Sequence, residues 1–202
     1  MRIRQHVNPK HLHFERFRGD VPVLPPDRPI EVEIGCADAQ FLFERASRQP
    51  LASYIGLEIR EDLVAYVNKK ARAERLPVHA VFCQAQLHMP QIFGDRQVDR
   101  VFINFPDPWF KRRHHERRMV DPALVAAIGN VARRGADIFV QSDVWDIALD
   151  SMDAFERDDR FTNVAGEWTF WREGNPYGVR SWREQNAEET GLTIWRIMYR
   201  RR

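Results

Sequence analysis

Residues 98–120 read VDRVFINFPDPWFKRRHHERRMV. The apolar run Val98–Ile103, bounded by Gly94/Asp95 and Pro106, reads as a short buried strand. Pro106 and Pro108 close it. Neither can donate to a sheet ladder, and each holds the residue before it extended. Asp107 lies between them, so a stiff turn presents its carboxylate. Trp109 follows at once, and Lys111–Arg118 then carries five fixed positive charges against one negative. A carboxylate and a flat ring at a strand end, beside dense positive charge, suit a flat hydrogen-bonding group attached to phosphate, as in a nucleobase of RNA or DNA. The same residues also read as a proline-rich turn followed by a solvated charged loop.

Outward from this stretch, strands and helices alternate. Ile30–Gly35, Tyr54–Glu58, Val78–Cys83, Val98–Asn104 and Ala136–Gln141 read as strands. Helices are expected near Asp38–Arg48, Glu61–Leu76, Leu87–Phe93, from Asp121-Pro122 to about Arg133, and from Asp143 to about Arg157. Five alternations predict a parallel sheet with helices on both faces. The last fifty residues differ. Val164–Trp171 and Ile194–Tyr199 read as an antiparallel strand pair, separated by a loop at Gly174–Gly178 and a helix starting near Ser181. In such sheets ligands bind at the carboxyl ends of the strands. The residues standing there are polar: Glu33, Gly35, Glu58, Gln84, Asn104, Asp107 and Asp143.

Composition sets bounds on function. With 202 residues and 44% apolar side chains, the chain can build one proper core. Net charge is only +2, but positive charge is clustered at the N-terminus, at Lys111–Arg118 and at the C-terminus, which could form a basic face. Residues 1–29 hold five prolines and read as a basic arm and linker; residues 30–202 read as one domain. Cys36 and Cys83 fit neither a disulfide framework nor a metal-ligand spacing, so a reducing, cytoplasmic setting and no metal are expected. No signal peptide and no apolar run of about 20 residues is evident.

The turn Gly35–Ala39 feeds a helix N-terminus, where a nucleotide-like ligand approaches backbone. Glu58 ends the next strand 23 residues after Gly35, which suits a carboxylate accepting ribose hydroxyls. An ordinary turn glycine and a helix-capping acid are the structural alternatives. Ser181-x-x-Glu184 also reads as a capping box.

These motifs resemble the bacterial tRNA (guanine-N7)-methyltransferases, from about Ile30 to Arg200. NFPDPWFKRRHHERRMV is similar to the family's Pro-Asp-Pro-Trp, Lys, Arg-His and Arg-Arg pattern; EIGCADAQF and YIGLEI resemble its first loop and second strand, and SDVW and SWRE two later motifs. The resemblance implies a Rossmann-like class I methyltransferase fold: a mostly parallel seven-stranded sheet with an antiparallel C-terminal strand. It implies S-adenosylmethionine as cofactor, tRNA as partner, and a monomer or homodimer. By this resemblance the methyl group goes to N7 of a variable-loop guanine. Asp107 is expected to be catalytic. Glu33, Gly35, Glu58, Gln84 and Asn104 are expected at the cofactor, and Lys111, Arg112, Arg113, Arg117, Arg118, Asp143, Ser181 and Glu184 at the substrate. Four positions depart from the pattern: Ala37 and Ala39 stand for glycines, Gln84 for an Asp, and Ser181 for a Thr. A non-catalytic RNA-binding protein on this scaffold, or a methyltransferase of DNA or a small molecule, is the alternative expectation.

Overall fold

The computed structural model describes residues 21–94 and 97–202. The basic cluster expected at Arg2–Arg18 lies outside the described residues. Seven strands of the described residues form one sheet: β1 Ile30–Ile34, β2 Ser53–Glu58, β3 Val78–Phe82, β4 Val98–Asn104, β5 Ala132–Ser142, β6 Phe161–Asn163 and β7 Trp195–Arg201. Their spatial order is β3-β2-β1-β4-β5-β7-β6. The first five run parallel, and β7 pairs antiparallel with both β5 and β6. The order reverses between β1 and β4, which opens a crevice at the carboxyl ends of the strands.

Among the described residues six α-helices accompany the sheet: α1 Gln40–Arg48, α2 Glu61–Glu74, α3 Ala85–Phe93, α4 Pro122–Val131, α5 Trp145–Glu156 and α6 Trp182–Glu189. Alternate strand residues feed two cores. Val32, Val101 and Ile138 pack with Met89, Ile128 and Phe155 of α3, α4 and α5. Phe102 and Phe139 pack on the other face with Phe41, Leu42 and Val67 of α1 and α2. The central strands read as continuous apolar runs because both faces are covered.

Three sequence expectations are corrected. The strand expected at Val164–Trp171 is a turn; β6 lies earlier, at Phe161–Asn163. Gly166 and Trp168 take positive φ, and Asn163 Oδ1 accepts from the amide of Ala165, so side-chain bonding replaces the ladder. Only Trp171 keeps a bridge, to Arg196. The helix expected to reach Arg133 stops at Val131, and the chain passes directly into β5, which bulges against β4 before Asp137. Asp143 does not cap α5. Val144 is the N-cap, and its amide donates to Ser142 Oγ.

Candidate active site

The loops after β1, β2, β3, β4 and β5 line one cleft of about 1110 Å³. Glu33, Gly35, Glu58, Gln84, Asn104, Asp107, Arg117, Arg118, Asp143 and Ser181 all border it. Lys111, Arg113 and Glu184 are not among its lining residues. Lys111 and Arg113 are exposed beside it on a 3-10 helix, Arg112–Arg117, and its preceding residue. The Arg112 side chain lies outside what the structure describes.

The turn after β1 has a tight shape. Gly35 takes φ 74°, and a β-carbon there would come within 2.8 Å of Met119 Cε. Ala37 and Ala39 take φ 51° and 55°. That is left-handed geometry, which costs an alanine about 1–2 kcal/mol. The backbone therefore holds the glycine-type conformation without the glycines.

Glu33 is only partly satisfied. It is 4% exposed. Asn104 Nδ2 donates to its Oε1 at 2.7 Å, while its Oε2 is buried with no partner. Burial raises its pKa from the ordinary 4.5 to about 8; the Asn104 bond works against that rise, and the charges of Asp38 and Glu58 add to it. Asn104 is held in turn. Gln141 Nε2 donates to its Oδ1 at 2.9 Å and to Glu184 Oε2 at 3.0 Å, and Arg196 Nε donates to Gln141 Oε1 at 3.2 Å. A chain of four side chains thus crosses the carboxyl edge from β7 to Glu33 Oε1 and leaves the other oxygen of Glu33 open.

Glu58 is heavily engaged. Its Oε1 accepts from the amides of Ile59 and Arg60 at 2.9 and 3.1 Å, and its Oε2 from the amide of Ala37 at 2.9 Å. Arg60 adds two charged bonds, Nε to Oε1 at 2.9 Å and Nη2 to Oε2 at 2.8 Å. Bonding to Glu58 raises the Arg60 pKa, and the charge of Asp107 adds to it. Arg60 is therefore a cation set between the carboxylates of β2 and of the Pro-Asp-Pro turn. The sequence reading missed it. Its signal was a cation two residues past a strand-ending glutamate.

The turn carrying Asp107 is strained at both ends. Phe105 takes φ 50° and Trp109 φ 43°, positions where a bulky residue is an outlier, so Phe105 departs from the extended backbone expected before Pro106. The amide of Phe105 donates to Gln141 O at 2.8 Å. The Arg117 guanidinium lies 5.3 Å from the centre of the Trp109 ring, and its Nε is buried without a partner. Arg118 pairs with Asp150 of α5 and donates to Pro108 O at 3.3 Å. Asp143 pairs with Arg183, the second residue of α6. Gln84 is the N-cap position of α3, where its amide donates to His88 Nδ1.

Ser181 is the N-cap of α6 and accepts from the amide of Glu184 at 3.2 Å. Glu184 is buried. It accepts from Gln141, from Asn175 Nδ2 at 2.8 Å and from Arg196 Nη2 at 2.8 Å. It anchors α6 to the sheet.

A family model described as "Putative methyltransferase" matches residues 27–197. A tRNA (guanine-N(7)-)-methyltransferase of Thermosynechococcus vestitus is 35% identical, covering 100% of this chain and 95% of its own. One from Synechococcus elongatus is 36% identical, over 98% and 96%. The chain belongs to the tRNA (guanine-N7)-methyltransferase family. The solved structure of the 16S rRNA methyltransferase KamB superposes with a TM-score of 0.60 at 12% identity, over 88% of this chain and 90% of that one, which shows a shared fold. The fold is that of class I methyltransferases, and the enzyme is S-adenosylmethionine-dependent.

The residues fit that cofactor. S-adenosylmethionine is a cation bearing an ammonium group and a ribose. The unpartnered buried oxygen of Glu33 calls for a cationic N–H donor. The left-handed turn of residues 35–39 leaves backbone open to a close ligand. Among the described residues no cluster of His, Cys, Asp and Glu is disposed to hold a metal. None of the described helices is long and apolar enough to cross a membrane.

Proposed function

We propose that the enzyme methylates N7 of a guanine in the variable loop of tRNA, with Asp107 positioning the base. One observation carries this reading: the cofactor turn, with the open oxygen of Glu33, and the Pro-Asp-Pro-Trp turn face the same cleft. Glu33 would hold the cationic end of the cofactor, with Gly35 and Asn104 shaping its seat and Gln84 at the adenine end. Glu58 would take the ribose hydroxyls once Arg60 gives up part of its fork on that carboxylate.

Guanine N7 has a lone pair and no proton to lose, so no general base is needed to create the nucleophile. The work left to the protein is orientation and charge. Asp107 would accept from the N1–H and N2–H edge of guanine. Its negative charge would stabilise the positive charge that grows on the purine as the methyl group arrives. Lys111 and Arg113 would meet RNA phosphate outside the cleft, with Arg112 beside them, and Arg117 would direct its unpartnered Nε inward. Arg118, Asp143 and Ser181 would complete the substrate wall. Glu184 would act on the substrate only through α6. The remaining elements of the proposal are a basic arm over residues 1–29, a cytoplasmic setting, and action as a monomer or homodimer.

The test is single-turnover transfer of labelled methyl to unmodified tRNA, followed by nucleoside analysis. Label in 7-methylguanosine of the variable loop is the expected result. Asp107→Ala should reduce the transfer rate by about 10²–10³-fold while tRNA binding is largely kept. Label on another atom, or an unchanged rate in Asp107→Ala, would refute the assignment.

A further inference from the structure

Two large rings stand exposed at the mouth of this cleft. Phe110 is 74% exposed and Trp182 is 63% exposed, and both line it. Among the described residues neither ring has an aromatic or hydrogen-bond partner. The other tryptophan that lines the cleft, Trp109, is engaged beside Arg117. Single exposed rings are ordinary on protein surfaces. Two at one mouth, each followed in sequence by a cation, Lys111 and Arg183, are a different matter. Trp182 also stands on a fixed post. It is the first residue of α6, whose N-terminus is capped by Ser181 and whose Glu184 is buried in three hydrogen bonds. Such a platform loses little entropy when a ligand settles on it.

The chemistry of the substrate supplies the occupant. N7 of a purine in an A-form helix lies in a deep, narrow groove that side chains do not enter. A guanine brought to Asp107 inside a concave cleft must leave its stack, and its neighbours then lose a stacking partner. We propose that Trp182 and Phe110 form a stacking platform for the nucleotides flanking the target guanine. Lys111, exposed and next in sequence to Phe110, would meet a phosphate of those nucleotides, while Arg183 stays paired with Asp143. This inference rests on the tRNA reading above.

The test compares Trp182→Ala and Phe110→Ser with wild type and with Trp168→Ala, an exposed tryptophan outside the cleft. Equilibrium tRNA affinity should fall about ten- to a hundredfold in either cleft variant and hold in Trp168→Ala. Trp182→Phe should recover most of it. The slope of log K against log salt should stay at the wild-type value in Trp182→Ala, because every cation that meets phosphate is still present. S-adenosylmethionine affinity, measured without RNA, should be unaltered. A tRNA that is abasic beside the target guanine should bind wild type and Trp182→Ala nearly alike. Unchanged tRNA affinity in both cleft variants, or an equal loss in Trp168→Ala, would overturn the platform and leave the methyl-transfer reading standing. Wild type that binds no tRNA would overturn both, and the reference titration shows this before any variant is made.

Discussion

Glu31 and Glu33 stand two residues apart on one face of β1, and their surroundings differ. Glu31 is fully buried and takes Arg45 in a fork, Nε at 2.5 Å and Nη2 at 2.7 Å, with Arg100 Nη1 at 2.5 Å. Glu33 has one amide and an open oxygen. A buried carboxylate without a cation keeps its proton. Between the unfolded value near 4.5 and the folded value of about 8, the folded chain binds the proton that the unfolded chain releases. The stability this group contributes is complete below pH 4.5 and is lost as pH rises through about 8. Glu33→Gln cannot titrate. Its melting temperature should therefore gain on wild type as the pH is raised from the acid side of this window to its alkaline side. Parallel curves from thermal melts would show that Glu33 is charged in the free protein. Glu33→Gln should also lose cofactor affinity, since an amide offers the ligand cation no charge.

At the scale of the element, α6 is a short helix with few buried apolar residues of its own, and two polar devices fix it. Ser181 caps its N-terminus, and Glu184 plugs it into the edge of the sheet. Removing the cap in Ser181→Ala should cost about 1 kcal/mol, and Ser181→Asn should restore it. Glu184→Ala strands Arg196 and Gln141 in the interior and should cost about 3–5 kcal/mol. Urea unfolding of the three variants checks these values. Full stability in Ser181→Asn with abolished methyl transfer would give the Ser181 hydroxyl a role at the substrate beyond its cap. The Pro-Asp-Pro turn is the opposite case. Its two ends, Phe105 and Trp109, hold positive φ, and the elements around it maintain that strain: β5 through Gln141 O, and α5 through Asp150 and Arg118.

Across the whole molecule, positive charge sorts into two kinds. Arg118 and Arg183 are tied to Asp150 and Asp143, while Lys111 and Arg113 stand in solvent beside the cleft. Neutralising Lys111 and Arg113 should flatten the salt dependence of tRNA binding by roughly 0.7–0.9 for each phosphate no longer neutralised. Arg118→Ala should lower stability and leave that slope alone. Filter binding across a salt series, with a melt for each variant, separates the two. The sequence by itself determined the sheet, because continuous apolar runs alternating with amphipathic helices have one good burial solution. It also placed Glu33, Glu58 and Asp107 at strand ends, because polar residues that close an apolar run must emerge where the sheet stops. It misplaced β6, because local side-chain bonds at Asn163 and a left-handed Trp168 outweigh strand propensity. Only the tertiary structure decided which of the charged residues are already satisfied. Arg118 on Asp150, the buried Glu184 and the open oxygen of Glu33 depend on how separate elements meet at the edge of the sheet. One-dimensional spacing carries no record of such pairings.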